Sequence, residues 1–563
     1  MQVDRKVKRS EKEQHLFVWF LLAFLVGLGL RLWRLGSMRF TLAEAQIAQN
    51  AWQMAIGKAT ELPGNMSYAG LSALLFTLFE PSFLFARLMP ALFGSSLILV
   101  PWFWRDRIGK TAALLLAIGL AIDPILLSFS RQIVTPIFVV AGLAWAATAL
   151  KYKRPVLTGA LLALAFLGGY SFWMVALIGL VAYLVLPKNE TQSVDLTPFR
   201  SKSFLLPFLT SFAISLAVIS SAFLLHTEGL GGIAAGLVDF VHTFANAYEL
   251  LVYQPIIIAI AYSILPLIFS FWSLMDDLRA KQPIRNLPFL IGWGLSLLLC
   301  VLLGRQDLGM LVFAAVFAWL GAATHIASII DTKPEAREVV FGVMVFQVVI
   351  LGYLQMVSRR LISVPSNTQD FRFAALAVLA GILLLVITTI LVGMGWSREV
   401  SRQAFQKSLL IMLIVLTLGL GLRSITSQQD STTLSLLAGP ILLPNNDVES
   451  IVDEIDREGR ADKSEITYDL GDLEQQFSWF FRNQVDWKST QSVLQADLML
   501  SASAQDFSAA DTYRGRNVEL FRRIDQQVVK PVDFLKTLLG EPLPMVSQIG
   551  VLWVRLNLFT GAN

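Results

Sequence analysis

The residue most able to do chemistry here is a carboxylate, Glu44, in the stretch Arg31-Leu-Trp-Arg34-Leu-Gly-Ser-Met-Arg-Phe-Thr41-Leu-Ala-Glu44-Ala-Gln-Ile-Ala48. That stretch leaves the first apolar run and begins a new helix within a few residues. Thr41-Leu-Ala-Glu44 fits the capping box, in which the threonine hydroxyl and the glutamate carboxylate each accept a hydrogen bond from the other residue's backbone N–H. Capping alone accounts for Glu44 about as well as chemistry does. The chemical reading is a carboxylate that takes a proton from an acceptor hydroxyl or holds a cation, a divalent ion being the cofactor class it would suit.

The second group is cationic. Arg131, in Leu126-Leu-Ser-Phe-Ser130-Arg131-Gln132, falls at the end of an apolar run on a very short loop. Its guanidinium fork matches a phosphate and would stabilise charge building on a departing one, although an arginine at such a place also serves simply as a headgroup anchor. Arg87 and Arg305 are candidates of the same kind. Asp123, immediately before Pro124 and inside an apolar run, is the costliest acidic placement in the chain, so it should face a cavity or a partner such as Arg131. His226, Glu228, Asp239 and His242 share one polar loop, with Asp239 and His242 three residues apart. Their spacing matches no zinc signature, and a solvated loop explains them better.

The elements that must position these groups are membrane helices. Of 563 residues 55% are apolar and 15% charged, and the apolar residues come in runs of roughly the twenty needed to cross a hydrocarbon core. The runs fall near 15–33, 83–104, 110–128, 133–150, 156–170, 172–187, 203–225, 249–273, 287–304, 308–330, 338–357, 372–395 and 404–424, which predicts about thirteen spans. Basic clusters at Arg5–Arg9, Arg105–Arg107, Lys151–Arg154, Arg200–Lys202, Arg279–Arg285, Lys333–Arg337 and Arg398–Arg402 alternate across consecutive spans. All can therefore be cytoplasmic together, with a cytoplasmic N-terminus and an extracytoplasmic C-terminal region. The net charge of +4 records this topology and binding to lipid headgroups rather than a nucleic-acid partner. The first run has a basic flank but ends in Arg31-Leu-Trp-Arg34 without a small-residue cleavage site, so it reads as an uncleaved span. The single cysteine, Cys300, excludes an internal disulfide and a cysteine-based metal site.

Between the spans, the loop over 34–82 is long and organised. The capping box starts a helix with a small-residue face at Ala45, Ala48, Trp52 and Ala55 that would lie along the membrane surface and stop at Gly57-Lys58. Tyr68 to Phe79 is a second apolar helix too short to span upright. Residues 428–563 read as a small extracytoplasmic α/β domain after a transmembrane domain over 1–427. It carries a capped helix from Asn446, strands near 465–469, 496–501 and 517–522, an aromatic helix from Leu473 to Phe481, and an aromatic terminal segment, Val551 to Phe559.

The order of these features resembles the GT-C superfamily of membrane glycosyltransferases that use polyprenyl-phosphate-linked sugars, to which protein mannosyltransferases, aminoarabinose transferases and oligosaccharyltransferases belong. The resemblance lies in Leu30-Arg31-Leu-Trp-Arg-Leu-Gly36 leading to Glu44, in Phe85-Ala-Arg87-Leu-Met-Pro-Ala-Leu-Phe-Gly94, and in Ile108-Gly109-Lys110 through Asp123-Pro124 to Ser130-Arg131. It covers about the first 190 residues, and the later spans agree by hydropathy only. It implies an all-α polytopic membrane domain with an extracytoplasmic C-terminal domain, and an inverting transfer of a hexosyl or pentosyl group from the lipid carrier to an acceptor at the outer face. Glu44 and Asp123 would then be the catalytic acids, and Arg131, Arg87 and Arg305 the phosphate-binding residues. One departure bears on activity: the superfamily usually has an Asp-Glu pair in the first loop, with the Asp as base, and this chain has Ala43-Glu44. The alternative expectation is therefore a catalytically inactive GT-C-like scaffold, or a membrane subunit that binds the lipid carrier.

Overall fold

The computed structural model describes residues 2–38, 40–58, 63–185, 197–243, 253–281, 286–302, 308–334, 336–365 and 367–427. In the C-terminal part it describes 437, 441–442, 450, 452–453, 457, 466–482, 487–490, 496–501, 512–525, 527–539, 541 and 543–556. Arg305 and nearly all of the helix expected from Asn446 lie outside the described residues.

The chain opens with α1 (Gln2–Leu32), α2 (Leu42–Ala55), α3 (Met66–Leu78), α4 (Phe83–Ser96), α5 (Val100–Ile108), α6 (Lys110–Ile122), α7 (Pro124–Phe129) and α8 (Thr135–Lys151). Among the described residues seven helices are long and apolar enough to cross a membrane, or up to nine when each bent pair counts as one span. The expectation of thirteen full-length spans is corrected accordingly. Among the described residues every apolar run is mainly helical, but several runs are broken. The runs at 156–170 and 172–187 form Pro155–Phe166 and Tyr170–Val185, set at 109° to each other. Gly169 sits at the corner with φ +61°, and a Cβ there would come within 2.3 Å of the Gly64 carbonyl oxygen. The run at 249–273 bends by 79° between Tyr253–Tyr262 and Ile264–Arg279. The run at 110–128 breaks at Asp123-Pro124. Proline cannot donate to the ladder and pushes the residue before it out of helical geometry, and Asp123 accordingly has ψ 125°. What remains, α6, has 13 residues, about 20 Å of helix against a core of about 30 Å.

The helical body has two distinct ends. At one, Lys110 pairs with Glu13 at 3.3 Å, Arg402 with Asp276, and the Thr111 hydroxyl donates to Asp331. At the other, Arg423 donates to the Leu538 carbonyl, the Tyr253 hydroxyl to the Val529 carbonyl, and Gln132 to the Leu437 carbonyl. Arg402 and Arg423 lie on the same helix, Arg398–Ser427, about 30 Å apart by its rise, which is the thickness of a hydrocarbon core. The basic loops and the C-terminal part are thus on opposite faces.

The C-terminal part forms a six-stranded sheet of β1 (Ile441–Leu442), β2 (Thr467–Asp469), β3 (Lys488–Ser489), β4 (Leu498–Ser501), β5 (Tyr513–Ile524) and β6 (Met545–Arg555), in the order β1-β5-β6-β4-β2-β3. β2 is parallel to β3 and β4, and the other pairs are antiparallel. The strands expected near 465, 496 and 517 are present, and the terminal segment extends backward into a long strand. This unit does not stand apart from the membrane domain. Trp479 is fully buried with Phe40, Phe76 and Phe83 of the first loop and α3 and α4, in the same cluster that contains Leu498 and Leu552 of the sheet. Phe534 and Val529 join the core of the helical body.

Candidate functional site at the junction of the first loop and the spans

Glu44 sits in the first turn of α2. The capping box is complete: the Thr41 N–H donates to Glu44 Oε2 at 2.9 Å and the Glu44 N–H to Thr41 Oγ1 at 3.1 Å. The same carboxylate takes the whole edge of Arg87 from α4, with Nε to Oε1 at 2.9 Å and Nη2 to Oε2 at 3.0 Å. A fourth donor, the Ile133 N–H before α8, reaches Oε1 at 3.0 Å. Glu44 is 2% exposed and Arg87 is fully buried. Four good donors on a carboxylate with about four acceptor positions leave no place for an acceptor hydroxyl. Ala43, beside it in the same turn, is exposed.

Arg87 and Arg131 hold one segment from two sides. Arg87 Nη1 donates to the Met38 carbonyl at 2.7 Å, and its guanidinium lies 4.4 Å over the Phe40 ring. Arg131 Nη2 is 3.2 Å from the Met38 sulfur, and its Nη1 reaches the carbonyls of Leu30, Arg31 and Trp33 at 2.7–3.1 Å. Those carbonyls are the unpaired end of α1, where the negative end of the helix dipole favours a cation. Arg31 repeats the arrangement one helix further on, donating to the Leu120 and Ala121 carbonyls at the end of α6 at 2.9 and 3.2 Å. Asp123 does the converse: its Oδ1 accepts from the Ile125 and Leu126 N–H groups at the start of α7, and its Oδ2 accepts from the Trp319 indole at 2.8 Å.

The first turn of α2, α4 and the α6–α7 break therefore meet in one buried polar lattice. Its pairing differs from the expected one, since Glu44 meets Arg87, while Asp123 meets Trp319 and a helix start. Arg131 meets a helix end. Glu44, Asp123 and Arg131 do not line an open cavity, because none is more than 2% exposed. Two partners had no role in the sequence reading. Arg31 entered there as the end of the first span and as part of the GT-C resemblance, with no partner assigned, although an arginine at the end of an apolar run needs buried acceptors and so signals a helix end nearby. Trp319 carries no sequence signal, as one tryptophan in a membrane helix looks like another. In the polar loop, the His226 ring lies against Gly57 and the Asp239 carboxylate against Gly64, so that segment packs on the first loop. His242 is exposed, and the Glu228 side chain lies outside the described residues. Among the described residues no group of three or more His, Cys, Asp or Glu is placed to hold a metal ion.

No family model matches the chain, and no curated protein matches it. Among solved structures the chain is similar to ArnT from Cupriavidus metallidurans in the apo state, at 16% identity and a TM-score of 0.47, over 84% of this chain and 85% of that one. It is also similar to the same protein bound to undecaprenyl phosphate, at 15% identity and a TM-score of 0.48, over 84% and 86%.

Proposed function

We propose that the chain is a membrane glycosyltransferase of the polyprenyl-phosphate-dependent kind, acting on the face that carries the C-terminal sheet, and that Glu44 is a structural residue of that machine and not its base. The observation that supports this reading is the buried lattice of Glu44, Arg87, Met38 and Arg131. It ties the first loop to the membrane helices at the residues that carry the GT-C resemblance, and it presents the first turn of α2, with Ala43 outward, on that face. In such a transfer the acceptor oxygen attacks the anomeric carbon, the bond to the lipid phosphate breaks, and the acceptor's proton goes to a base. With Glu44 saturated by donors, a carboxylate on a segment packed against the first loop takes that role, and Asp239, beside Gly64, is the candidate among the described residues.

Exposed Ala43 favours a second reading. A methyl group stands where the resemblance expects the catalytic aspartate, as it would in a chain that kept carrier binding and lost transfer. Purified chain in lipid nanodiscs, given undecaprenyl-phosphate-linked radiolabelled sugars and cell-envelope acceptors, separates the two. The transferase reading expects release of undecaprenyl phosphate by the wild type, lost in Asp239→Asn. The silent reading expects binding without release, with Ala43→Asp gaining it. Neither binding nor release in either form would sink both.

A further inference from the structure

At the face carrying the basic loops, the span Phe83–Ile108 ends beside the end of α8. The Trp104 indole donates to the Thr148 hydroxyl at 2.9 Å, and the Lys151 ammonium and the Tyr152 hydroxyl donate to the Phe103 carbonyl. The junction gathers five cations around one acid, Asp106: Arg105 and Arg107 from α5, and Lys151, Lys153 and Arg154 from the end of α8 and the turn after it. Aromatic rings hold three of them in place. Arg105 lies 3.9 Å over the Trp102 ring, and Arg107 and Lys151 lie 5.4 and 5.3 Å from the centre of the Trp104 ring. Among the described residues none of the five makes an ion pair, and neither does Asp106, whereas elsewhere on this face Lys110 is taken by Glu13 and Arg402 by Asp276. Lys153 adds an independent signal. Its N–H donates to the Leu150 carbonyl and the Arg154 N–H to the Ala149 carbonyl, each at 2.9 Å, which is the Schellman closure of α8. The closing residue has φ +52°, a left-handed conformation that glycine adopts without steric cost and lysine does not. A cation is kept where glycine would fit better.

We propose that this junction binds the headgroup of a two-phosphate glycerophospholipid, diphosphatidylglycerol, from the leaflet on the basic-loop face, with one phosphate at Arg105 and Arg107 and the other at Lys153 and Arg154. The level is that of headgroups, because tryptophan and tyrosine rings gather at the boundary between hydrocarbon and water. Apolar side chains stand exposed at both edges to receive acyl chains: Phe17, whose ring meets that of Trp102 at 5.5 Å, and Val156 and Leu157 directly after Arg154. A soluble anion would use the cations and leave those edges uncovered. The arrangement of charge sets the number of phosphates. A lipid with one phosphate answers only one of the two cation groups, whereas two phosphates joined by a single glycerol answer both and carry their chains to both edges. The rings and the Trp102 and Phe103 carbonyls fix Arg105, Arg107 and Lys151 in advance, so little side-chain freedom is lost when the headgroup arrives.

The test is lipid retention by the delipidated full chain, measured by native mass spectrometry with diphosphatidylglycerol, phosphatidylglycerol at equal phosphate, or phosphatidylcholine as the added lipid. The expected result is one diphosphatidylglycerol held in preference to both others. Lys153→Gly weakens it about five-fold, in line with the usual contribution of one basic residue near a membrane surface. The same variant melts in phosphatidylcholine at or above the wild-type temperature, because glycine suits the left-handed position, which separates lost binding from lost fold. Arg107→Gln, an exposed residue of the other cation group, gives a similar loss of retention. Equal retention of phosphatidylglycerol, or retention unchanged in either variant, overturns the proposal. Displacement of the lipid by inorganic pyrophosphate also overturns it, because the junction would then be a site for a soluble anion.

Discussion

Two regions of the polar lattice bury charge in different ways. Between α2 and α4, a carboxylate and a guanidinium neutralise each other directly, Glu44 on Arg87, with two backbone N–H groups completing the carboxylate's shell. Where α1, α6 and α7 meet, Arg31, Arg131 and Asp123 are equally buried, yet among the described residues none of them has an opposite charge within salt-bridge distance. Each instead lies against a helix end: Arg131 on the carbonyls closing α1, Arg31 on those closing α6, and Asp123 on the N–H groups opening α7. The difference teaches that a charge in the membrane need not touch a counter-charge when a helix terminus supplies about half an elementary charge and several unpaired hydrogen-bonding groups, the opposite charge acting from further off, as Arg31 and Asp123 do on each other. A search for Asp–Arg pairs in the sequence consequently finds the wrong partners.

The comparison breaks most clearly at the ion pair. Glu44→Ala leaves Arg87 buried with its charge uncompensated and should cost about 3–5 kcal/mol, read as a fall in thermal stability of the detergent-solubilised protein. Combining Glu44→Gln with Arg87→Met removes both charges, so the double variant should be more stable than Glu44→Ala alone. If Glu44→Ala melts like the wild type, the pair is not what holds α2 to α4.

At the helix ends the effects should be smaller, because each contact is a cap. Asp123→Ala removes the cap of α7 and orphans the Trp319 indole, a loss of about 2 kcal/mol, whereas Asp123→Asn keeps an acceptor oxygen for the α7 N–H groups and should lose less. Should the asparagine variant prove as damaging as alanine, the negative charge itself matters and Asp123 behaves as an ion-pair partner after all. The mildest change is Arg131→Lys. It keeps the cation at the end of α1 but loses the planar fork that reaches several carbonyls and the Met38 sulfur, a cost of about 1 kcal/mol. A loss as large as that of Glu44→Ala would erase the distinction between the two regions.

Much of the architecture could be read without coordinates, because hydropathy reports burial in lipid directly. The apolar runs are helices, the capping box at Thr41–Glu44 starts α2, Gly57 follows its end with a φ of +70°, and β2, β4 and β5 lie where alternation puts them. The small-residue face of α2 is also there, although Ala51 and Met54 are buried in place of Trp52 and Ala55. The number of full-length spans was not legible. A hydropathy window averages over Asp123-Pro124 and Ser263, so two bent or broken segments read as continuous ones, while the runs at 156–170 and 172–187 read as two spans and form one bent pair. Which residues dock the C-terminal part on the first loop was not legible for a related reason, since Trp479 is apolar whether it faces its own sheet or the first loop.

What the amino-acid sequence determined by itself is local: where the chain is apolar enough to leave water, where a helix can begin and where proline or glycine must stop it, and that a capping glutamate stands at the start of the first loop's helix. The tertiary structure decided which charge meets which partner. Arg87 is 43 residues from Glu44, Arg131 is 98 to 101 residues from the carbonyls of Leu30 and Trp33, and Trp319 is 196 residues from Asp123. Such contacts exist only once helices pack, and the choice among partners is set by helix ends, whose unpaired groups belong to the backbone and so leave no mark on residue identity.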